Sequence, residues 1–199
     1  MTSRDRSGTL ERQQLTRWSK LEYHKPAQIL RRLRALEVEL ADIEMDERVR
    51  RLRTSGLKQY REWRDAALFL YGLGLEQGRD IQYATLEEAD YDFVARWPQD
   101  GAFHFCPVQL KELPPSDLNS KADLEQIIAG STKDPRPTST VLAIRLSKAG
   151  RIDLAGVRIS SVPWNQVWFF WASAPNSTRW TVYGDALSNP GQFTFDYPT

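Results

Sequence analysis

The sequence predicts an α/β fold, and three features predict it. An amphipathic stretch from about Leu57 to Leu73 sets Tyr60, Trp63, Ala67, Leu70 and Tyr71 at helical spacing. Two strand-like runs, Asp90 to Trp97 and Ala102 to Glu112, flank a Pro98-Gln99-Asp100-Gly101 turn and read as a hairpin. A second helix, about Lys121 to Ala129 with Leu124, Ile127 and Ile128 on its core side, is followed by the strongly apolar strand Thr140 to Leu146. The expected order is helix, three strands, helix, strand and further C-terminal strands, behind an N-terminal helical extension. The expected divisions are a disordered tail at 1–8, the helical extension at 9–55 and the α/β domain at 56–199.

A polar, weakly amphipathic helical stretch from about Thr9 to Tyr23 is closed by His24-Lys25-Pro26. Pro26 then suits the first turn of a long helix running to about Arg53, because a proline there gives up an N–H that has no partner in any case. Ile29, Leu33, Leu36, Leu40 and Ile43 form a short coiled-coil-like seam, suited to packing on the domain or on the preceding helix, with a homodimer contact as the other use. Arg48, Arg50, Arg51 and Arg53 follow as a basic cluster, either solvated or set against a phosphate backbone. Lys133 and Arg136, in the loop before the apolar strand, are the other candidates for that contact.

Asp80 to Thr85 reads as the first strand, and Leu86 to Ala89 as the turn into the hairpin. Glu87, Glu88, Asp90 and Asp92 place four acids around that entrance, in a solvated turn or around a cation. Near the end of the returning strand stand Gln109, Leu110 and Lys111. Residues i and i+2 of a strand share a face, so Gln109 and Lys111 point together, and Glu112 points away. The tight turn brings them to the same open end of the hairpin as Asp92. Pro107 suits an edge strand or a bulge, and a bulge would reverse that facing. A carboxylate and a second oxygen ligand for Mg²⁺, with a lysine beside the attacking water or the phosphate, suit metal-assisted phosphodiester cleavage.

On these residues the chain resembles the PD-(D/E)XK nuclease superfamily, which has the restriction-endonuclease-like fold. Asp92 takes the place of the family's first acid, and Gln109-Leu110-Lys111 that of its Glu-x-Lys or Gln-x-Lys motif. The resemblance covers roughly Leu57 to Leu146. It implies a nuclease dependent on Mg²⁺ or Mn²⁺, acting most readily on DNA. Asp92 and Gln109 would hold the metal, and Lys111 would act on water or phosphate. The helix acid of the family falls on Glu62, or on Asp65 as second choice. Gln109 departs from the commoner glutamate, and a neutral amide holds Mg²⁺ less well than a carboxylate. A catalytically inactive interaction module on the same fold is therefore the alternative, with the N-terminal helices as its working surface. An unrelated α+β domain with an accidental motif is the third reading.

Composition is compatible with each. The net charge of +1 hides an asymmetry: residues 1–64 carry 16 Lys+Arg against 10 Asp+Glu, and residues 65–199 carry 11 against 16. A basic third suits a phosphate backbone, although surface helices are often rich in both signs. A single cysteine, Cys106, precludes an internal disulfide and fits a reducing cytoplasm. No apolar run is long enough to span a membrane, and no secretory signal is visible, so a soluble cytoplasmic protein is expected. With only His24 and His104 beside Cys106, Cys and His cannot build a zinc site of ordinary ligand count. Gly72-Leu73-Gly74 closes a helix and so makes no phosphate loop. The aromatic run Val167 to Trp171 and the strand Arg179 to Tyr183 form a second hairpin, read first as core and second as a base-stacking surface.

Overall fold

The apolar run expected as a buried strand lies at the middle of a seven-stranded sheet. The computed structural model describes residues 12–44, 46, 49, 52–86, 91–131, 139–148, 151–154, 156–157, 159 and 162–199. Residues 12–18 are helical. Three further helices are α1 (Pro26–Glu39), α2 (Lys58–Gln77) and α3 (Leu124–Gly130). The strands are β1 (Gln82–Thr85), β2 (Phe93–Gln99), β3 (Ala102–Leu113), β4 (Val141–Leu146), β5 (Gln166–Ala172), β6 (Arg179–Gly184) and β7 (Gly191–Asp196), and they lie in the sheet in chain order. The pairs β1–β2, β2–β3, β5–β6 and β6–β7 are antiparallel, and β3–β4 and β4–β5 are parallel. A parallel step needs a long crossover. The one from β3 to β4 contains α3.

β3 is the hinge of the sheet. Residues 102–108 pair with β2, and residues 108–113 pair with β4. Its register with β2 runs unbroken through Pro107, which lies opposite Val94, one residue before the β4 ladder begins. The bulge that would have reversed the strand's facing is therefore not there. The turn is tighter than expected. Asp100 and Gly101, with φ of 51° and 76°, make the connection, and Pro98 is drawn into β2 opposite Phe103. Positive φ at both turn positions matches the right-handed twist of the flanking strands, and glycine suits the second.

Alternation in β4 explains the two cores. Val141 and Ala143 face α2, in a cluster with Leu68, Phe69, Phe93, Val108 and Phe170. Leu142, Ile144 and Leu146 face the other way and pack with Leu113, Leu124, Ile128 and Phe169. The aromatic run in β5 divides between the same two faces and is core, with Trp180 of β6 buried beside it.

α2 runs past the expected end at Leu73 to Gln77, and Gly78 closes it in the left-handed conformation at φ 60°. Gly72 and Gly74 are thus interior to the helix. The reason at Gly72 is a neighbour distant in sequence. A Cβ there would lie 2.4 Å from the Phe195 ring of β7, a strand the sequence reading did not anticipate. Gly72→Ala is expected to lower stability by about 1–3 kcal/mol, since overpacking a dense core forces side chains off their minima. Urea denaturation checks this, and Phe195→Leu in the same chain should recover part of the loss.

α1 ends at Glu39 and not near Arg53. Its inward residues are Pro26, Ile29 and Leu30, while Leu36 and Ile43 of the expected seam are half exposed. The extension is tied to the sheet. His24 exchanges backbone hydrogen bonds with Tyr83 of β1, and Trp18 is buried against Tyr91 and Val94. Among the described residues, no helix is long and apolar enough to cross a membrane.

Candidate functional site

The site forms where β2 stops and β3 runs on. Beyond Phe93 the β2 ladder has no further partner for β3, and Asp92 fills the gap. Its N–H donates to the Val108 carbonyl at 3.0 Å. Its Oδ2 accepts the Leu110 N–H at 2.6 Å and also the Gln109 side-chain amide. A side-chain oxygen thus takes a backbone donor that a neighbouring strand would otherwise satisfy. Gln109 and Lys111 share the face of Leu142 and Ile144, whereas Leu110 and Glu112 face the α2 side.

The charge of a fourth predicted residue, Glu62, also acts on Asp92. Burial pushes the Asp92 carboxyl above its usual range, against the Leu110 N–H and the Lys111 charge, which lower it; the Glu62 charge adds to the rise and that of Lys58 opposes it. Asp92 and Gln109 are in contact at the open end of β2 and β3, with Lys111 on the face of Gln109, whereas Glu62 belongs to α2, whose core residues pack on the opposite face of the sheet. The alternative helix acid is committed elsewhere. Asp65 is buried with 4% side-chain exposure, hydrogen-bonded to Arg145 of β4 and 3.7 Å from Arg64.

Lys58 is the residue that sequence reasoning missed. It opens α2 and pairs with Glu62 at 3.4 Å. The Lys-to-Glu spacing of four was its only signal, and such pairs are usually plain surface.

Glu112, set aside on parity, has a structural task. It accepts two hydrogen bonds from Arg53, at 2.8 and 2.6 Å, and one from Ser147. Arg53 was a phosphate-contact candidate, but its guanidinium is engaged here by a carboxylate and does not face solvent. Burial would raise the Glu112 carboxyl, but the bonds from Arg53 and Ser147 and the charges of Arg145 and Arg53 outweigh it and hold it below the usual value of 4.5. A carboxylate with a depressed folded pKa stabilises fully above its unfolded pKa, and this stabilisation is lost as pH falls through the folded value. Wild type should thus lose stability below about pH 4.5 more steeply than Glu112→Gln. The variant should be about 2 kcal/mol less stable at pH 7, because the Arg53 bonds are charge-assisted. Unfolding midpoints from pH 3 to 7 measure both.

Arg48, Arg50, Arg51, Lys133 and Arg136 lie outside the described residues, as do Glu87, Glu88 and Asp90. His104 stacks on Trp97 with 5.7 Å between ring centroids, and burial pushes the Cys106 thiol up to about 12, so the pair makes no nucleophile and base.

Among the described residues, no three His, Cys, Asp or Glu side chains gather closely enough to hold a metal. The oxygen donors that the predicted residues offer are the Asp92 and Glu62 carboxylates and the Gln109 amide. All are hard oxygen donors. Mg²⁺ and Mn²⁺ accept such a set, because Mg²⁺ usually keeps several waters and takes only one or two carboxylates. No family model, no curated protein and no solved structure matches this chain.

Proposed function

We propose that this chain hydrolyses phosphodiester bonds of nucleic acid, most readily DNA, at the site formed by Asp92, Glu62, Gln109 and Lys111. The observation that carries the proposal is an Asp92 carboxylate pinned between β2 and β3 by the Leu110 N–H and the Gln109 amide, with Lys111 on the same face of β3 as Gln109. The order α2, β1, β2, β3, α3, β4 also follows the order expected of a restriction-endonuclease-like core.

Asp92, Glu62 and the Gln109 oxygen would hold Mg²⁺ or Mn²⁺, which supplies Lewis-acid stabilisation of negative charge on the phosphoryl and leaving oxygens. Lys111 orients the attacking water, and its ammonium offsets the charge that gathers on the phosphate oxygens as the new P–O bond forms. The old bond between phosphorus and the 3′-oxygen breaks, its electron pair leaves with that oxygen, and the proton given up by the attacking water passes to solvent, from which the 3′-oxygen takes one to become a hydroxyl. Hydrogen bonds from Leu110 and Gln109 keep the Asp92 carboxylate oriented throughout.

One observation favours a second reading, an interaction module without catalysis. In this structure Gln109 turns its amide nitrogen to Asp92, and Lys58 pairs with Glu62, so both acids have partners without a metal. Cytoplasmic location and a homodimer through the N-terminal helices belong to the same proposal. Exposed Leu36 and Ile43 would seat the dimer, and a monomeric mass by light scattering would remove it. Incubating linear duplex DNA, single-stranded DNA and RNA with Mg²⁺ or Mn²⁺ tests the nuclease reading. Cutting that stops with a chelator is expected. Intact substrates under all conditions would leave the interaction module.

A further inference from the structure

The α2 side of the sheet holds more positive charge than its carboxylates match. Glu112 of β3 and Arg145 of β4 stand side by side in the parallel ladder. Both meet α2, Glu112 with Arg61 at 4.0 Å and Arg145 through its bond to Asp65. Arg53 adds a further guanidinium on Glu112, and Arg64 lies 3.7 Å from Asp65. Four guanidinium groups, on side chains only 12–20% exposed, thus share two carboxylates. Glu37 reaches Arg64 only at 3.8 Å, is 42% exposed and is already hydrogen-bonded to Arg34.

Two of the four arginines are short of acceptors. Glu112 is bonded to Arg53 and Asp65 to Arg145, while Arg61 and Arg64 stay beyond hydrogen-bond distance of the carboxylates they approach. The Arg64 Nε is buried and has no hydrogen-bond partner. Burial pulls the Arg64 guanidinium below its usual range; the Asp65 charge opposes this, and that of Arg145 adds to it. A buried charged donor without an acceptor is costly, and Arg61 and Arg64, three residues apart, are neighbours on the helix surface. A phosphate monoester suits both needs. It carries close to two negative charges at pH 7 and presents three oxygens to planar guanidinium forks.

We propose that Arg61 and Arg64 hold a phosphate dianion, either free phosphate or the terminal phosphate of a strand. The site is independent of the nuclease reading, because Gln109 and Lys111 face the other side of the sheet.

Calorimetry of the full chain with inorganic phosphate tests it on wild type, Arg61→Met, Arg64→Met and Arg179→Met. Wild type should bind, and Arg61→Met and Arg64→Met should each weaken binding at least about tenfold, the scale of one charge-assisted hydrogen bond. Arg179→Met removes an exposed arginine of β6 and should match wild type. If Arg64→Met does not fold, Arg61→Met decides alone. Lowering the pH from about 8 to about 5.5 protonates phosphate but not sulfate, so phosphate should weaken relative to sulfate. Competition by a 5′-phosphorylated oligonucleotide but not by its 5′-hydroxyl counterpart would name a strand end as the source. Competition by neither would name free phosphate. No binding by wild type, binding that Arg61→Met leaves intact, or equal competition by both oligonucleotides would overturn the proposal.

Discussion

Asp92→Asn is expected to slow phosphodiester cleavage at least about 10²-fold, the scale of loss when one pre-organised charge-stabilising group is removed from a site. It should leave the fold almost untouched. The Leu110 N–H and the Gln109 amide both donate to one oxygen, Oδ2, and an asparagine carbonyl can take its place. Burial already disfavours charge on this side chain, so neutralising it removes little folding energy. Activity and stability should therefore separate. Cleavage rates and thermal denaturation on the same preparations would show it, and a large drop in the unfolding midpoint would make Asp92 a structural residue first.

Asp65→Ala should have the opposite signature. Asp65 and Arg145 form a buried pair between α2 and β4, and removing one partner leaves an uncompensated charge in the core. Such losses cost about 3–5 kcal/mol, a large share of the ~5–15 kcal/mol that holds a domain together. Replacing both, as Asp65→Leu with Arg145→Met, should cost much less, because no lone charge remains. Urea midpoints of the single and double variants decide the matter. Equal losses would mean that the pair itself, and not the isolated charge, supplies the stability.

The contrast between these two acids shows what the sequence made legible. Asp92, Gln109 and Lys111 could be placed together from strand parity and a tight turn, both local properties of the chain. Glu62 could be ranked ahead of Asp65 only by fit to the family pattern, since the partner that claims Asp65 is 80 residues away. The same holds for the element ends. The β2–β3 hairpin, α3 and β4 carry their own periodicity and lie close to where it puts them. α2 continues through Gly72 and Gly74 because Phe195 of β7 packs against Gly72, while the Arg79 carbonyl and Ile81 lie close to Gly74, and no helix propensity reports that. α1 stops at Glu39 although its apolar spacing continues, because only Ile29 and Leu30 find the core. Glu112 was assigned the correct face by alternation, but its partner Arg53 was read as a phosphate contact. An arginine cluster does not reveal which member a carboxylate has taken.

Nicking of supercoiled plasmid with Mg²⁺ or Mn²⁺, by purified wild type, Asp92→Asn and Lys111→Ala in parallel, decides whether the open end of β2 and β3 hydrolyses DNA. Metal-dependent nicking by wild type that both substitutions abolish, with unfolding midpoints preserved, is the predicted result. Nicking that persists in both variants, or none by the wild-type chain, would contradict a hydrolytic site at the open end of β2 and β3.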